Sequence, residues 1–272
     1  MKIAVIGGTG FIGNHLVRSL LKKNFKVLVT GTNIEKAKMY EWFDNVDFIE
    51  LNLNEYNNQA KLLEIAKCNK IIHLAWKGLP NYKDLFHFEE ELLVQYNFIK
   101  SLVVLGMKDI TITGTCFEYG MKEGALSVDT PTDPQNPYAL AKDSLRKFLI
   151  QLQTKHEFQL RWLRLFYMYG SGQSEKSILS QLDKALKNGD EYFNMSGGEQ
   201  LRDFLEIKNL VEMLINVMTE KQNGVYNICS GIPISIKQLV EDYLIKNKKS
   251  IKLNLGFYSY PDYEPMKFWG IK

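Results

Sequence analysis

Tyr138 and Lys142 stand four residues apart in Asn136-Pro137-Tyr138-Ala139-Leu140-Ala141-Lys142. A helix expected over 138–155 puts both on one face, because positions i and i+4 are neighbours there. A phenol with an ordinary pKa of ~10 is a slow acid–base group at neutral pH. A nearby ammonium favours the phenolate, and a shift of about three units needs roughly 4 kcal/mol of differential stabilisation. Such a pair can move a proton on and off an oxygen, which is half of what reducing a ketone requires. The spacing alone is common, so the rest of the chain must support it.

A second feature lies at the start of the chain. Ile6-Gly7-Gly8-Thr9-Gly10-Phe11-Ile12-Gly13 follows an apolar run and opens a helical pattern. Gly7 permits a tight turn, Gly10 lets the backbone approach a pyrophosphate, and Gly13 lets the helix pack closely on the strand. The helix N-terminus offers its unpaired N–H groups to the anion. Gly7, Thr9, Gly10, Phe11, Ile12 and Gly13 are therefore the expected dinucleotide-binding turn. NAD binders usually close the second strand with an Asp or Glu that holds the ribose 2′-hydroxyl. Here that stretch reads Val29-Thr30-Gly31-Thr32-Asn33, with Gly31 where the acid is expected. Lys36 and Lys38 are near enough to meet a 2′-phosphate. Thr32, Asn33 and Lys36 are expected at the ribose, and NADP is the expected cofactor, with NAD as the other candidate.

The elements that would position these groups alternate strand and helix. Strands are expected at 2–6, 26–30, 46–51, 70–75, 109–113 and 160–166. Helices are expected at 11–23, near 57–67, near 87–105 and at 138–155. This order argues for an α/β fold, a Rossmann-type doubly wound parallel sheet covered on both faces, with ligands beyond the carboxyl ends of the strands. The later part is less regular, with helices near 176–188, 207–220 and 235–246 and a short strand at 225–228. The expected division is a dinucleotide-binding domain over 1–166. A smaller lobe over 167–272 would mainly bind substrate, with some segments returning to the first domain.

Thirty-four basic and 31 acidic residues leave a net charge of +3, which gives no case for a nucleic-acid or membrane-surface partner. No run of 18 apolar residues exists, and Met1–Ile6 reads as a strand rather than a signal peptide. Cys68, Cys116 and Cys229 have no metal-ligand spacing and no obvious pairing. No metal is expected, and reduced thiols in a cytoplasmic protein are the simplest reading.

Further segments resemble one family over nearly the whole chain. These are the Gly-x-x-Gly-x-x-Gly spacing, Thr113-Gly114-Thr115-Cys116-Phe117-Glu118-Tyr119-Gly120 before Tyr138 and Lys142, Leu165-Phe166-Tyr167-Met168-Tyr169-Gly170, Arg202-Asp203-Phe204-Leu205, and Tyr226-Asn227-Ile228-Cys229-Ser230-Gly231. Together they resemble the extended short-chain dehydrogenase/reductases of the epimerase/dehydratase family, which modify nucleotide-linked sugars. The resemblance implies that Thr115 orients the substrate oxygen and Tyr138 carries its proton. It also implies that Lys142 assists Tyr138 and holds the nicotinamide ribose. Asn52 and Leu53 would flank the adenine. Leu74 and Ala75 would lie beneath the cofactor, with Trp76 beside cofactor and sugar. His73 is read as a packed core histidine. Cys116 and Phe117 would border the sugar, and Arg202, helped by Gln200, would meet the nucleotide diphosphate. Tyr167 stands where the family often has a phosphate-contacting Asn. A homodimer joined through two helices per subunit is a family expectation.

The family performs 4-epimerisation, 4,6-dehydration and keto-sugar reduction. Dehydratases carry an Asp-Glu pair after the Thr; here Cys116 and Phe117 fill those positions, which argues against dehydration. The aromatic tail 256–270 resembles the ends of bacterial reductases acting on nucleotide-linked 4-keto-6-deoxy sugars. It would either wall the sugar or cover the core. The expected function is an NADP-dependent reductase of a nucleotide-linked 4-keto deoxyhexose or heptose, serving surface-polysaccharide synthesis. The alternatives are a nucleotide-sugar 4-epimerase with tightly bound NAD and a non-catalytic, NADP-sensing binding protein.

Overall fold

The computed structural model of the chain describes residues 1–272. In chain order its first elements are β1 (Lys2–Ile6), α1 (Phe11–Lys22), β2 (Lys26–Gly31), α2 (Ile34–Lys38), β3 (Asp47–Glu50), α3 (Gln59–Ala66) and β4 (Lys70–His73). Then come α4 (Leu92–Val104), β5 (Asp109–Thr115), β6 (Gly124–Leu126), α5 (Pro137–Gln153) and β7 (Gln159–Leu165). The later chain forms β8 (Tyr167–Tyr169), α6 (Ile178–Asn188), β9 (Tyr192–Asn194), β10 (Leu201–Glu206), α7 (Ile207–Glu220) and β11 (Gly224–Ile228). It ends with β12 (Pro233–Ser235), α8 (Ile236–Lys246), β13 (Lys252–Asn254) and β14 (Phe268–Gly270).

Seven strands form one parallel sheet in the order β11-β7-β5-β4-β1-β2-β3. The strand order reverses between β1 and β4, so a crevice opens beyond their carboxyl ends, where ligands sit in doubly wound sheets. One core of Phe98, Ile99, Leu102, Leu145 and Leu149 lies under α3, α4 and α5. The other, with Leu16, Val17, Leu20, Leu210 and Leu214, lies under α1 and α7. A sheet buried on both faces explains why β1 reads Ile-Ala-Val-Ile without polar alternation.

The 225–228 strand belongs to this sheet, since β11 pairs along β7 from Gly224↔Arg161 to Ile228↔Leu165. The lobe above the crevice is built from α6, α8, β9 and β13 around Leu182, Phe193 and Val240. The sequence pattern predicts one helix from 87 to 105; instead a π-helical turn covers His87–Glu91 before α4 begins. No helix is long and apolar enough to cross a membrane.

Candidate active site

Two loops border the crevice at the point where the sheet reverses, one after β1 and one after β4. At the first, Gly10 is the N-cap of α1, and no side chain caps that helix. The N–H groups of its first turn therefore face the groove, as an anion site needs. A methyl group on Gly13 would lie 2.4 Å from the Gly7 carbonyl oxygen and 2.6 Å from the Gly8 Cα. Both are backbone atoms that cannot move aside. Gly13→Ala should therefore push α1 off the turn, with a stability loss of ~1–3 kcal/mol and loss of dinucleotide binding, read by NADH fluorescence titration and thermal melting.

A cleft of about 240 Å³ is lined by Gly7, Thr9, Gly10, Gly31, Thr32, Leu53, Leu74, Ala75 and Trp76. It adjoins a cavity of about 620 Å³ that shares Gly10, Leu74 and Trp76 with it and adds Phe11, Ile12, Thr115, Tyr138 and Lys142. The two make one elongated groove that suits a dinucleotide. Asn52 and Asn33 do not line it. Asn52 accepts from the Asn54 N–H at 3.2 Å and the Lys77 ammonium at 3.0 Å, and Asn33 caps α2 through the Lys36 N–H. Lys36 is exposed on that helix, and Lys38 pairs with Glu35. Sequence reading missed Glu50, whose position in β3 pairs with Gly31 and whose carboxylate accepts the Ile34 N–H at 2.9 Å. An acid thus stands beside the end of β2, supplied by the neighbouring strand.

Thr115 ends β5 and begins a short 3₁₀ turn, Cys116–Tyr119. Its backbone N–H donates to Glu118 Oε1 at 2.9 Å, and its hydroxyl oxygen accepts the Phe117 N–H at 3.3 Å. Neither contact uses the hydroxyl proton, which is available to Tyr138 or to a substrate oxygen. Glu118 is fully buried and also accepts from Trp162 Nε1 at 2.9 Å and Arg164 Nε at 2.8 Å. Gly114 is required here, because a Cβ would sit 2.2 Å from the Trp162 indole nitrogen.

Asn136 caps α5 by accepting the Ala139 N–H, and Pro137 occupies the first turn, so Tyr138 and Lys142 project from its first two turns onto one wall of the cavity. The Lys142 ammonium donates to the Thr113 carbonyl at 2.8 Å and lies 6.0 Å from the Tyr138 ring centre. Burial pushes the Tyr138 phenol well above its ordinary range, helped by Tyr82, Glu118 and Cys116, and the Thr115 hydroxyl works against this. Burial also pulls Lys142 down to about 7, opposed by Glu118 and Glu91. Without cofactor, Tyr138 is therefore a protonated phenol that holds its proton firmly. To take one back it needs added positive charge.

Cys116, Phe117, Trp76 and Tyr167 line the same cavity, along with Tyr82, Leu79 and Pro80. Burial drives the Cys116 thiol upward, so it stays protonated. His73 lies buried against Phe98, and burial pulls it down to about 3, so it remains neutral. Arg202 lies on β10 at the edge of an adjoining cavity of about 300 Å³. It is fully buried, 3.0 Å from Glu264, and donates to the Leu201 and Met266 carbonyls. Tyr167 donates to the other Glu264 oxygen, and the buried Gln200 amide lies 3.4 Å from Glu264 Oε1. Glu264 was not foreseen in the sequence. It comes from the tail, whose Tyr263 ring also packs on Tyr82 and Phe117.

A dinucleotide groove meeting Thr, Tyr and Lys at the carboxyl edge of a doubly wound sheet defines an extended short-chain dehydrogenase/reductase. Residues 3–229 match the model of the NAD dependent epimerase/dehydratase family, and the chain belongs to that family. It is 31% identical, over the full length of both chains, to a dTDP-6-deoxy-L-talose 4-dehydrogenase (NAD(+)) of Aggregatibacter actinomycetemcomitans. Among solved structures, MoeE5 in complex with UDP-glucuronic acid and NAD superposes with a TM-score of 0.83 at 23% identity, covering 100% of this chain and 90% of that one. A UDP-N-acetylglucosamine 4-epimerase from Methanobrevibacter ruminantium M1 does so with a TM-score of 0.86 at 22% identity, covering 99% and 89%.

Proposed function

We propose that the chain is an NAD-dependent oxidoreductase acting at C4 of a nucleotide-linked 6-deoxyhexose, interconverting the 4-hydroxyl and the 4-ketone. The observation that carries this reading is the Thr115–Tyr138–Lys142 set on one cavity wall, with no carboxylate or imidazole lining the cavity beside it. Cys116 and Phe117 hold the two positions after Thr115, and neither can remove a proton from sugar carbon. The chemistry is then limited to carbon–oxygen oxidation or reduction at the atom nearest Tyr138. The walls made by Phe117, Tyr82, Leu79 and Pro80 suit a methyl group at C6 better than a hydroxymethyl. The 4-dehydrogenase relative, similar end to end, supports the same substrate class.

When bound, the nicotinamide supplies or accepts the hydride. In reduction Tyr138 gives its phenolic proton to the developing C4 alkoxide, and Thr115 orients the same oxygen by donating a hydrogen bond to it. Lys142 spends one N–H on the Thr113 carbonyl, leaving two for the nicotinamide ribose hydroxyls. In oxidation Tyr138 must accept the proton, and the Lys142 charge favours that phenolate.

The absence of an acid at Gly31 speaks for NADP, but Glu50 brings a carboxylate to the same place. NAD is therefore the cofactor proposed, and Glu50, beside the end of β2, would meet the ribose 2′-hydroxyl. NADH should bind at least about tenfold more tightly than NADPH, a margin of ~1.4 kcal/mol, and Glu50→Gln should narrow the gap. Equal binding of the two would remove this role from Glu50.

The test of function is NADH oxidation against a panel of dTDP-, GDP-, UDP- and CDP-linked 4-keto-6-deoxy sugars. Oxidation with one of them supports the reading and identifies the base. No oxidation, but interconversion of two saturated sugars seen by NMR, would make the protein a 4-epimerase and overturn it.

A further inference from the structure

Lys142 has an unusual environment for a buried cation. The residue is 3% exposed, and no carboxylate forms an ion pair with it. Beyond the Thr113 carbonyl, its neighbour is the indole face of Trp76, with the ammonium 4.1 Å from the ring centre. Tryptophan is the strongest aromatic partner for a cation, and the attraction grows when both are removed from water. The charged and titratable groups packed around it do not replace that contact. Glu118 is held by Arg164 and Trp162, Glu91 by the Lys77 N–H and the Gln95 amide, and His73 is neutral.

The indole is held at this angle by a residue outside the Thr–Tyr–Lys set. Trp76 Nε1 donates to His87 Nδ1 at 3.0 Å. His87 is fully buried, and its Nε2 lies 2.9 Å from the Asn81 carbonyl. With Nδ1 accepting and a carbonyl opposite Nε2, the partners assign the neutral Nε2–H tautomer. The loop is wrapped tightly around this ring. Gly78 has φ +86°, and a Cβ there would lie 2.9 Å from His87 Cε1. The same loop grips Tyr138. Trp76, His87 and Tyr82 pack against its ring at 5.9, 5.3 and 5.5 Å between centres, and the Tyr138 N–H donates to the Tyr82 carbonyl at 3.2 Å.

We propose that His87 and Trp76 are positioning residues for the Tyr138–Lys142 pair. His87 fixes the indole by a hydrogen bond on each side of its own ring, and the indole face holds the Lys142 ammonium charged and aimed at the cofactor groove. The turnover arm of this inference rests on the function proposed above; its binding arm does not.

The experiment measures NADH binding by fluorescence from pH 6 to pH 9, which needs no sugar substrate. His87→Leu removes both hydrogen bonds. His87→Gln can accept from Trp76 through Oε1 and donate to Asn81 through Nε2. His87→Leu should move the pH at which NADH affinity declines downward by about one unit, the mark of a less stabilised ammonium. Its kcat should fall about tenfold with KM for the sugar little changed, and His87→Gln should restore both. If His87→Leu does not fold, Trp76→Phe and Trp76→Leu decide the matter. Phe keeps an aromatic face and should shift the midpoint less than Leu. A wild-type pH midpoint in folded His87→Leu, or equal midpoints for the two Trp76 variants, overturns the proposal. A shifted midpoint together with no turnover of any sugar would refute the function reading and leave this one standing.

Discussion

Replacing Tyr138 by Phe is expected to lower kcat by about a thousandfold, within the ~10²–10⁴ typical of one positioned acid–base group, while KM and melting temperature stay near their original values. The separation of the two effects comes from the geometry. The Tyr138 ring is packed among Trp76, His87 and Tyr82, and a phenylalanine ring keeps all three contacts. The phenol lines the cavity, and its one polar neighbour, the Thr115 hydroxyl, lines it too, so removal of the phenol oxygen strands no group of the core. Burial holds the phenol high, so it stays protonated at neutral pH and keeps the proton that reduction needs until the strongly basic C4 alkoxide develops beside it. Steady-state NADH oxidation and a thermal melt together check this. A variant keeping more than a tenth of its rate would hand the proton to another group. Tyr82, which lines the same cavity and whose phenol burial also raises, to about 12, is the nearest candidate.

The groups that sequence reading found and those that it missed differ in how far apart their partners lie along the chain. The glycine turn is one short segment, and Tyr138 and Lys142 are one helical turn apart, so local spacing was enough to find them. Glu118 acts with Arg164, Glu50 with Ile34 and Gly31, and Glu264 with Arg202, each joined only by the fold. Single acids in such positions carry no pattern to read. The NADP expectation shows the consequence, since it looked for the acid on β2 and had no access to the strand beside it. Arg202 shows a related one. Its chemistry suits a diphosphate, but the tail folds back and seats a carboxylate on it. The smaller strands, such as β6 paired with β14, are three residues long and pair with partners far along the chain, too short to show any periodicity.

Glu118→Ala should be the most damaging substitution to stability, costing ~3–5 kcal/mol because it leaves a buried guanidinium without its counterion. For a chain of this size that corresponds to a fall in melting temperature on the order of 10 °C. Arg164 is 3% exposed in its side chain, and apart from Glu118 it has the Tyr119 ring at 4.5 Å and the Val128 carbonyl at 3.4 Å. Neither supplies negative charge to match. Glu118 also anchors the backbone N–H of Thr115, so the same change should free the hydroxyl that orients the substrate oxygen. The two effects separate in the double variant Glu118→Leu with Arg164→Met. Replacing both members of a buried pair by apolar groups can recover stability, yet nothing in that variant rebuilds the anchor on Thr115. Melting temperature should return toward the original while kcat stays low. Recovery of both would mean that Glu118 serves the site only by neutralising Arg164. Recovery of stability alone would make Glu118 a positioning residue for Thr115 as well as half of a buried ion pair.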